Sequence, residues 1–432
     1  MPPAALTSRL HRGVILAQLL PASPESPRYN ARMISVQDAQ AHILDRVTTV
    51  APPELLPLTA SLHRVLADDV RSEMDVPPTT NSAVDGYAVA AADIPAAGTR
   101  TLEVAGELAA GAVWSGTLQH GQALRIMTGA PMPAGADTVF LQETVERSGN
   151  QVVVGPLPAG VNVRQRGEDV KAGAVVLSAG TVLRPQEIGV AASLGLAQLV
   201  VRQKPRVAIL STGDEVAEPG TDRKPGQIFD SNRFSLRGLV EAAGAQAVDD
   251  GIVPDRMEEL HSRLLRAAEH ADVVLTSGGV SVGDYDLVKS VLQQAGGIHF
   301  WQVAMQPGRP LAAGSIGRAH FFGLPGNPVA SMLTFHLFVR PALWKLAGRR
   351  DLHVQPFHAT AAEPLTKKTG RREFKRGILS WAKDRWEVRT TGPQGSGILT
   401  SMTAANCFIV IEEERGNVKV GETVWVEPFQ PL

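Results

Sequence analysis

The chain reads as a multidomain α/β protein: an open α/β sheet domain set between a β-rich lobe and a second β-rich region at the C-terminus. Three observations predict this. At 432 residues the chain exceeds one hydrophobic core, which implies roughly two to four domains. From residue 204 to 348, buried-type strand runs alternate with helical runs, the pattern of a sheet covered on both faces. On either side, short strands are separated by turns, and 41 Gly and 30 Pro provide the residues those turns need.

The elements follow in order. Residues 1–32 carry a Pro-Ser-rich run, Pro21 to Pro27, and read as a disordered extension, or as an over-long start with Met33 as the true beginning. Arg9 and Arg12 before a short apolar run imitate a signal peptide only faintly, because Gln18 interrupts it and no small-x-small site follows. A helix is expected over 35–47, capped by Ser35, with apolar residues at helical spacing. A second is expected over 60–65. Residues 72–173 read as the β-rich lobe, with strands at 101–104, 122–127, 138–141 and 151–154. Segments 33–71 and 174–203, with a helix over 185–194, form a small linking unit. The α/β domain then has strands at 206–210, 247–253, 273–275 and 320–323, with helices over 232–243, 256–269, 285–294 and 328–347. Residues 349–432 return to strands.

Composition narrows the function. Net charge is -1, from 42 basic and 43 acidic residues, so nothing marks a general nucleic-acid binder. No run approaches the ~18 apolar residues of a membrane helix. The single cysteine, Cys407, excludes an intramolecular disulfide and a Cys-x-x-Cys metal site, and suits a reducing cytoplasm. The eleven histidines are scattered. There is no Walker A sequence and no Gly-x-Ser-x-Gly.

Chemistry concentrates in three loops that follow strands of the α/β domain, where such sheets bind ligands. They are Ser211-Thr212-Gly213-Asp214-Glu215, then Thr276-Ser277-Gly278-Gly279-Val280-Ser281-Val282-Gly283-Asp284-Tyr285-Asp286, then Gly323-Leu324-Pro325-Gly326-Asn327-Pro328. Glycine lets the backbone approach a ligand and turn its amides toward an anion. A tight strand-to-helix turn needs glycine for structural reasons as well, but three such loops together fit a phosphate-bearing ligand. Glu215, Asp255 and Asp286 each follow a strand and are placed to converge at one rim. Acids beside a phosphate suit Mg²⁺, which takes carboxylate and phosphate oxygens. Asp214 and Asp284 read equally well as turn or cap residues.

Six motifs occur in an order that resembles the MoeA family of molybdopterin molybdenumtransferases, which includes the E domain of gephyrin. They are Asn81-Ser82-Ala83-Val84-Asp85-Gly86-Tyr87-Ala88, Arg125-Ile126-Met127-Thr128-Gly129-Ala130, Arg166-Gly167-Glu168-Asp169 and the three loops above. The likeness runs from Met33 to the C-terminus. It implies a homodimer and four subdomains. Residues 204–348 would be a MogA-like molybdopterin-binding domain, and 349–432 a β-barrel. It further implies insertion of molybdate into adenylylated molybdopterin with release of AMP, assisted by Mg²⁺, downstream of a MogA-type adenylyltransferase.

Carried over residue by residue, the resemblance makes Asp85, Thr128, Asp169, Glu215, Asp255 and Asp286 catalytic, and gives the metal to Glu215, Asp255 and Asp286. The β-rich lobe would reach across the dimer, so that Asp85, Thr128 and Asp169 complete the partner's site. Substrate would be held by Ser277, Gly278, Gly279, Ser281 and Gly283, by Pro325, Gly326, Asn327 and Pro328, and by Arg309, Arg376 and Ser396. One departure stands out: where the family often has two lysines four residues apart, this chain has Gln302 and Gln306, which carry no positive charge. Arg309, Lys289 and Arg376 then remain to balance a dianionic oxoanion. A tungstate-using relative and a scaffold without turnover are the alternatives; the retained acids argue against the scaffold.

Overall fold

The structure, a computed structural model, describes residues 33–48, 50–279, 297 and 299–430. The expected extension over 1–32 and the helix over 285–294 lie outside the described residues.

The α/β domain is built on a six-stranded sheet in the order Gln246–Val253, Arg206–Thr212, Val273–Ser277, Ala319–Leu324, Pro310–Ile316, His299–Gln302. The first four strands run parallel, and the last two are antiparallel to their neighbours. That antiparallel edge went unread in the sequence. Side chains of a strand alternate between faces, so Val207 and Ile209 enter one core and Ala208 and Leu210 another. The first core receives the helices Val36–Arg46 and Asn232–Ala242 and the helical segment 328–346; the second receives the helix Met257–His270. With both faces covered, the polar residues at the strand ends are left at the rim.

Two helix expectations change. Residues 60–65 form no α-helix. Leu58–Ala60 is a single 3-10 turn, His63 takes a left-handed backbone (φ 62°), and Val65 and Leu66 bridge to Val182 and Val201 instead. Six residues are too few to offset helix nucleation without strong packing. The long helix over 328–347 is interrupted: α-helical Pro328–Thr334, π-helical Phe335–Val339, then α-helical Arg340–Leu346. Pro341 has no N–H to give the carbonyl four residues back. That carbonyl, on Leu337, accepts instead from Gln40 Nε2 of the first helix at 2.9 Å.

The β-rich lobe is a second six-stranded sheet, in the order Thr138–Leu141, Gly86–Val89, Gln122–Ile126, Arg100–Leu108, Gln151–Val154, Glu146–Ser148. Between lobe and α/β domain, Pro53–Pro57 pairs with Gln198–Arg202 beside the helix Pro185–Ser193. The C-terminal region is a closed barrel. Arg372–Ala382, Arg385–Thr390, Phe357–Ala361, Thr423–Pro428 and Cys407–Ile411 follow one another, and the last pairs back onto the first. A short parallel pairing of Met305–Gln306 with Arg372 and Glu373 docks barrel on α/β domain. No helix among the described residues is long and apolar enough to cross a membrane.

Candidate functional site

At the carboxyl ends of the parallel strands, facing the barrel, lies a cavity of about 770 Å³. All three loops singled out from sequence reach it. Thr212, Gly213 and Glu215 come from the first, Gly278 and Gly279 from the second, and Pro325, Gly326 and Asn327 from the third. Asp255 joins from the end of the strand Gln246–Val253. Gln306 and Arg309 form one edge, and the barrel contributes Arg371, Glu373, Arg376 and Ser396.

Two glycines are required by the local geometry. Gly213 has φ 134°, a backbone conformation that side-chain-bearing residues rarely adopt. Gly278, at φ 93°, would put a Cβ 2.9 Å from the Thr212 carbonyl, so only glycine lets the second loop lie across the end of the first strand.

The walls carry opposite charge. On one side are Glu215 and Asp255; the exposed Glu215 carboxylate has no hydrogen-bond partner among the described residues. Asp214 Oδ1 accepts the Asp255 amide at 3.3 Å, a long-range bond that joins the first loop to the end of the strand Gln246–Val253. On the other side, Arg309 and Arg371 are exposed and form no ion pair among the described residues. Such a cleft holds a ligand that presents anion to one face and cation to the other.

Arg376, which the resemblance gives to substrate, borders the cavity with its guanidinium bonded into the barrel. It is 1% exposed. Its Nε donates to Ser401 Oγ at 3.0 Å, and its Nη groups donate to the carbonyls of Gln394 (3.1 Å), Pro393 (3.3 Å) and Gly395 (3.0 Å). Burial lowers its pKa, with Glu373 opposing. The guanidinium therefore fixes the loop that presents Ser396, whose carbonyl accepts the Val329 amide at 3.2 Å and so ties barrel to third loop. The exposed arginine on this wall is Arg371, which sequence reasoning passed over in Gly370-Arg371-Arg372-Glu373.

Two further residues organise the cleft from behind, at the start of the helix Asn232–Ala242. Asn232 Nδ2 donates to Ser277 Oγ and to the Gly326 carbonyl, each at 2.7 Å, and so clamps the second loop to the third. Arg233, 4% exposed, pairs with Asp230, Asp249 and Glu218. Burial opposes its charge, but the bonds to Glu218, Asp249 and Asp230 hold its pKa above the usual arginine value. It thereby ties the segment after Glu215 to the strand that leads to Asp255.

Other expected residues stand apart. Ser277 is buried with its hydroxyl taken by Asn232, and Pro328 opens the helix behind Asn327; neither lines the cavity. Of the two glutamines, Gln306 lines the cleft and Gln302 does not. Asp85, Thr128 and Asp169 sit on the β-rich lobe, away from this cleft's walls. Asp85 Oδ1 accepts the Thr128 amide and hydroxyl, each at 2.7 Å, and those bonds, the amide first, hold its pKa below the ordinary value. Ser281, Gly283, Asp286 and Lys289 lie outside the described residues. Among the described residues, no three of His, Cys, Asp and Glu gather as a metal-binding group.

Comparison with known proteins places this architecture. Residues 34–195 match a family described as "MoeA N-terminal region (domain I and II)". Residues 208–345 match "Probable molybdopterin binding domain", and 358–429 match "MoeA C-terminal region (domain IV)". A Haemophilus influenzae protein named molybdopterin molybdenumtransferase is 40% identical over 404 residues, covering 93% of this chain and 100% of that one. A Mycobacterium tuberculosis molybdopterin molybdenumtransferase 2 is 37% identical over 404 residues, covering 91% and 99%. The crystal structure of the molybdopterin biosynthesis moeA protein from Pyrococcus horikoshii superposes with a TM-score of 0.80 at 32% identity, covering 92% of this chain and 100% of that one.

Proposed function

The chain belongs to the MoeA family of molybdopterin molybdenumtransferases, and on that premise we propose that its two-walled cleft inserts molybdate into adenylylated molybdopterin and releases AMP. This is an enzyme of molybdenum cofactor biosynthesis. The observation that carries the reading is the meeting, in one cavity of about 770 Å³, of an acidic wall (Glu215, Asp255) and a basic one (Arg309, Arg371). Transfer of this kind depends chiefly on positioning and on neutralising charge where it develops.

The glycine-lined loops around Gly278, Gly279, Gly326 and Asn327 hold the pterin and its phosphates through backbone amides. Arg309 and Arg371 attract molybdate and hold it against the barrel wall. The carboxylates of Glu215 and Asp255 are hard oxygen donors on one wall, and they fit Mg²⁺, which keeps several waters and shares substrate phosphate. Asp286 is the third acid proposed for that set. When bound, the ion would offset the negative charge of the departing AMP phosphate. Asn232 holds the second loop to the third, and Arg233 holds the segment after Glu215 to the strand that leads to Asp255.

The proposed assembly is a homodimer in which Asp85, Thr128 and Asp169 of one protomer complete the site of the other, located in the cytoplasm and supplied by a MogA-type adenylyltransferase. Tungstate is the second candidate oxyanion, favoured by the uncharged Gln306 at the cleft edge; competition between the two anions in one assay decides between them. The test of the reaction is to mix adenylylated molybdopterin, Mg²⁺ and molybdate with the protein and follow AMP. Release no faster than in the protein-free control would sink the proposal.

A further inference from the structure

A second cavity, of about 750 Å³, lies where the segment after the helix Arg340–Leu346 meets the turn at Gly180–Thr181 and the C-terminal barrel. Arg184, Trp344, Arg349, Arg350, Asp351 and His353 line it, and none of them touches the first cleft. The chain builds it deliberately. Gly348 reverses direction at φ 75°, and the Arg349 amide then donates to the Trp344 carbonyl at 2.9 Å. This folds the Arg349 guanidinium onto the Trp344 indole, 3.9 Å from the ring centre, while Arg340 covers the same ring at 5.1 Å. Arg350 is fixed by its amide, which donates to the Gly180 carbonyl at 3.3 Å.

The charges here do not balance. Arg340 pairs with Glu427 and Arg184 with Glu187. Arg349 and Arg350 have no ion pair or side-chain hydrogen bond among the described residues, and Asp351, on the same wall, pairs with neither. Two buried donors nearby also lack an acceptor: Arg349 Nε–H, and the Nε1–H of Trp344, a residue only 6% exposed. A buried donor without an acceptor, beside a half-buried guanidinium that makes no ion pair among the described residues, is costly unless something negative arrives. Burial lowers the Arg349 pKa; the Asp351 carboxylate opposes this and Arg340 adds to it.

We infer that this cavity binds a small molecule carrying a polyvalent oxyanion, phosphate or polycarboxylate, gripped by Arg349 and Arg350 beside Trp344. The planar guanidinium fork suits both chemistries, since each offers paired oxygens. The volume falls within the usual range of small-molecule pockets and exceeds what a bare phosphate fills, so the ligand has a body beyond its anionic end. This site does not depend on the insertion reaction.

The test is calorimetric titration of the full chain with pyrophosphate and, separately, citrate. Arg350→Glu reverses one charge at an exposed position, and Arg371→Ala serves as the control for the first cleft. One binding phase is expected to weaken about tenfold or more in Arg350→Glu and to survive in Arg371→Ala. The fluorescence change accompanying that phase should disappear in Trp344→Phe. Stronger binding of pyrophosphate identifies a phosphate ligand, and stronger binding of citrate a polycarboxylate. Superimposable isotherms for the parent chain and Arg350→Glu overturn the inference. So does an Arg350→Glu protein whose only change is its assembly mass, since a second copy would then cover this surface.

Discussion

Replacing Arg376 with lysine separates support of the cleft from contact with its ligand. The guanidinium makes four side-chain hydrogen bonds, to Ser401 Oγ and to the carbonyls of Pro393, Gln394 and Gly395. A lysine ammonium on a straight stem reaches one or two of these at most. Two or more charge-assisted bonds are then lost and buried carbonyls are stranded, which costs roughly 3–5 kcal/mol. Arg371→Ala, at an exposed side chain without partners among the described residues, should alter stability by less than about 0.5 kcal/mol. Urea unfolding followed by tryptophan fluorescence reads the first quantity, and equilibrium dialysis of molybdate against folded protein reads the second. Arg371→Ala should weaken molybdate binding about tenfold, and Arg376→Lys should change it little while the barrel stays folded. The reasoning fails if Arg376→Lys unfolds like the parent chain yet loses molybdate as severely as Arg371→Ala.

Glu218→Gln cuts the tie between Arg233 and the segment after Glu215. Amide exchange over residues 213–221 should quicken about threefold to tenfold, with the strand Val273–Ser277 unchanged; equal rates would remove Arg233 from its positioning role. His336 is buried among Phe335, Phe408 and Phe429, and burial, then Arg340, lowers its pKa from 6.5 to about 3. Because the unfolded chain takes up that proton first, the contribution to stability is whole above pH 6.5 and drains as pH falls toward about 3. His336→Phe should flatten the acid limb of stability between about pH 6 and pH 4 by up to ~1.4 kcal/mol per unit, and identical limbs would contradict this. Gln306→Lys adds a cation at the cleft edge and should lower the molybdate concentration giving half-maximal rate; an unchanged dependence dismisses Gln306 as a determinant of anion binding.

The α/β domain was legible because its signals are local. Strand runs such as Val207 to Leu210 and the glycine-bearing loops after them are contiguous in sequence, and the sheet brings their ends to one rim. Non-local facts were not legible. The run Phe374 to Gly377 is buried at every position, so neither alternation nor charge shows that Arg376 points into protein while Arg371, one residue before the strand, points into the cleft. The π-helical segment depends on Gln40, nearly three hundred residues away, accepting the role that Pro341 vacates. Asn232 and Arg233 look like an ordinary polar helix start; their partners arrive from four separate segments.

The account rests most heavily on Glu215 and Asp255 facing the arginine wall across one reaction space. The most direct test is a single-turnover measurement of molybdenum transferred to the pterin by the parent chain and by Asp255→Asn, with pterin binding measured alongside. The account predicts that the variant still binds the pterin but inserts metal about a hundredfold more slowly or worse. Equal insertion rates would contradict it.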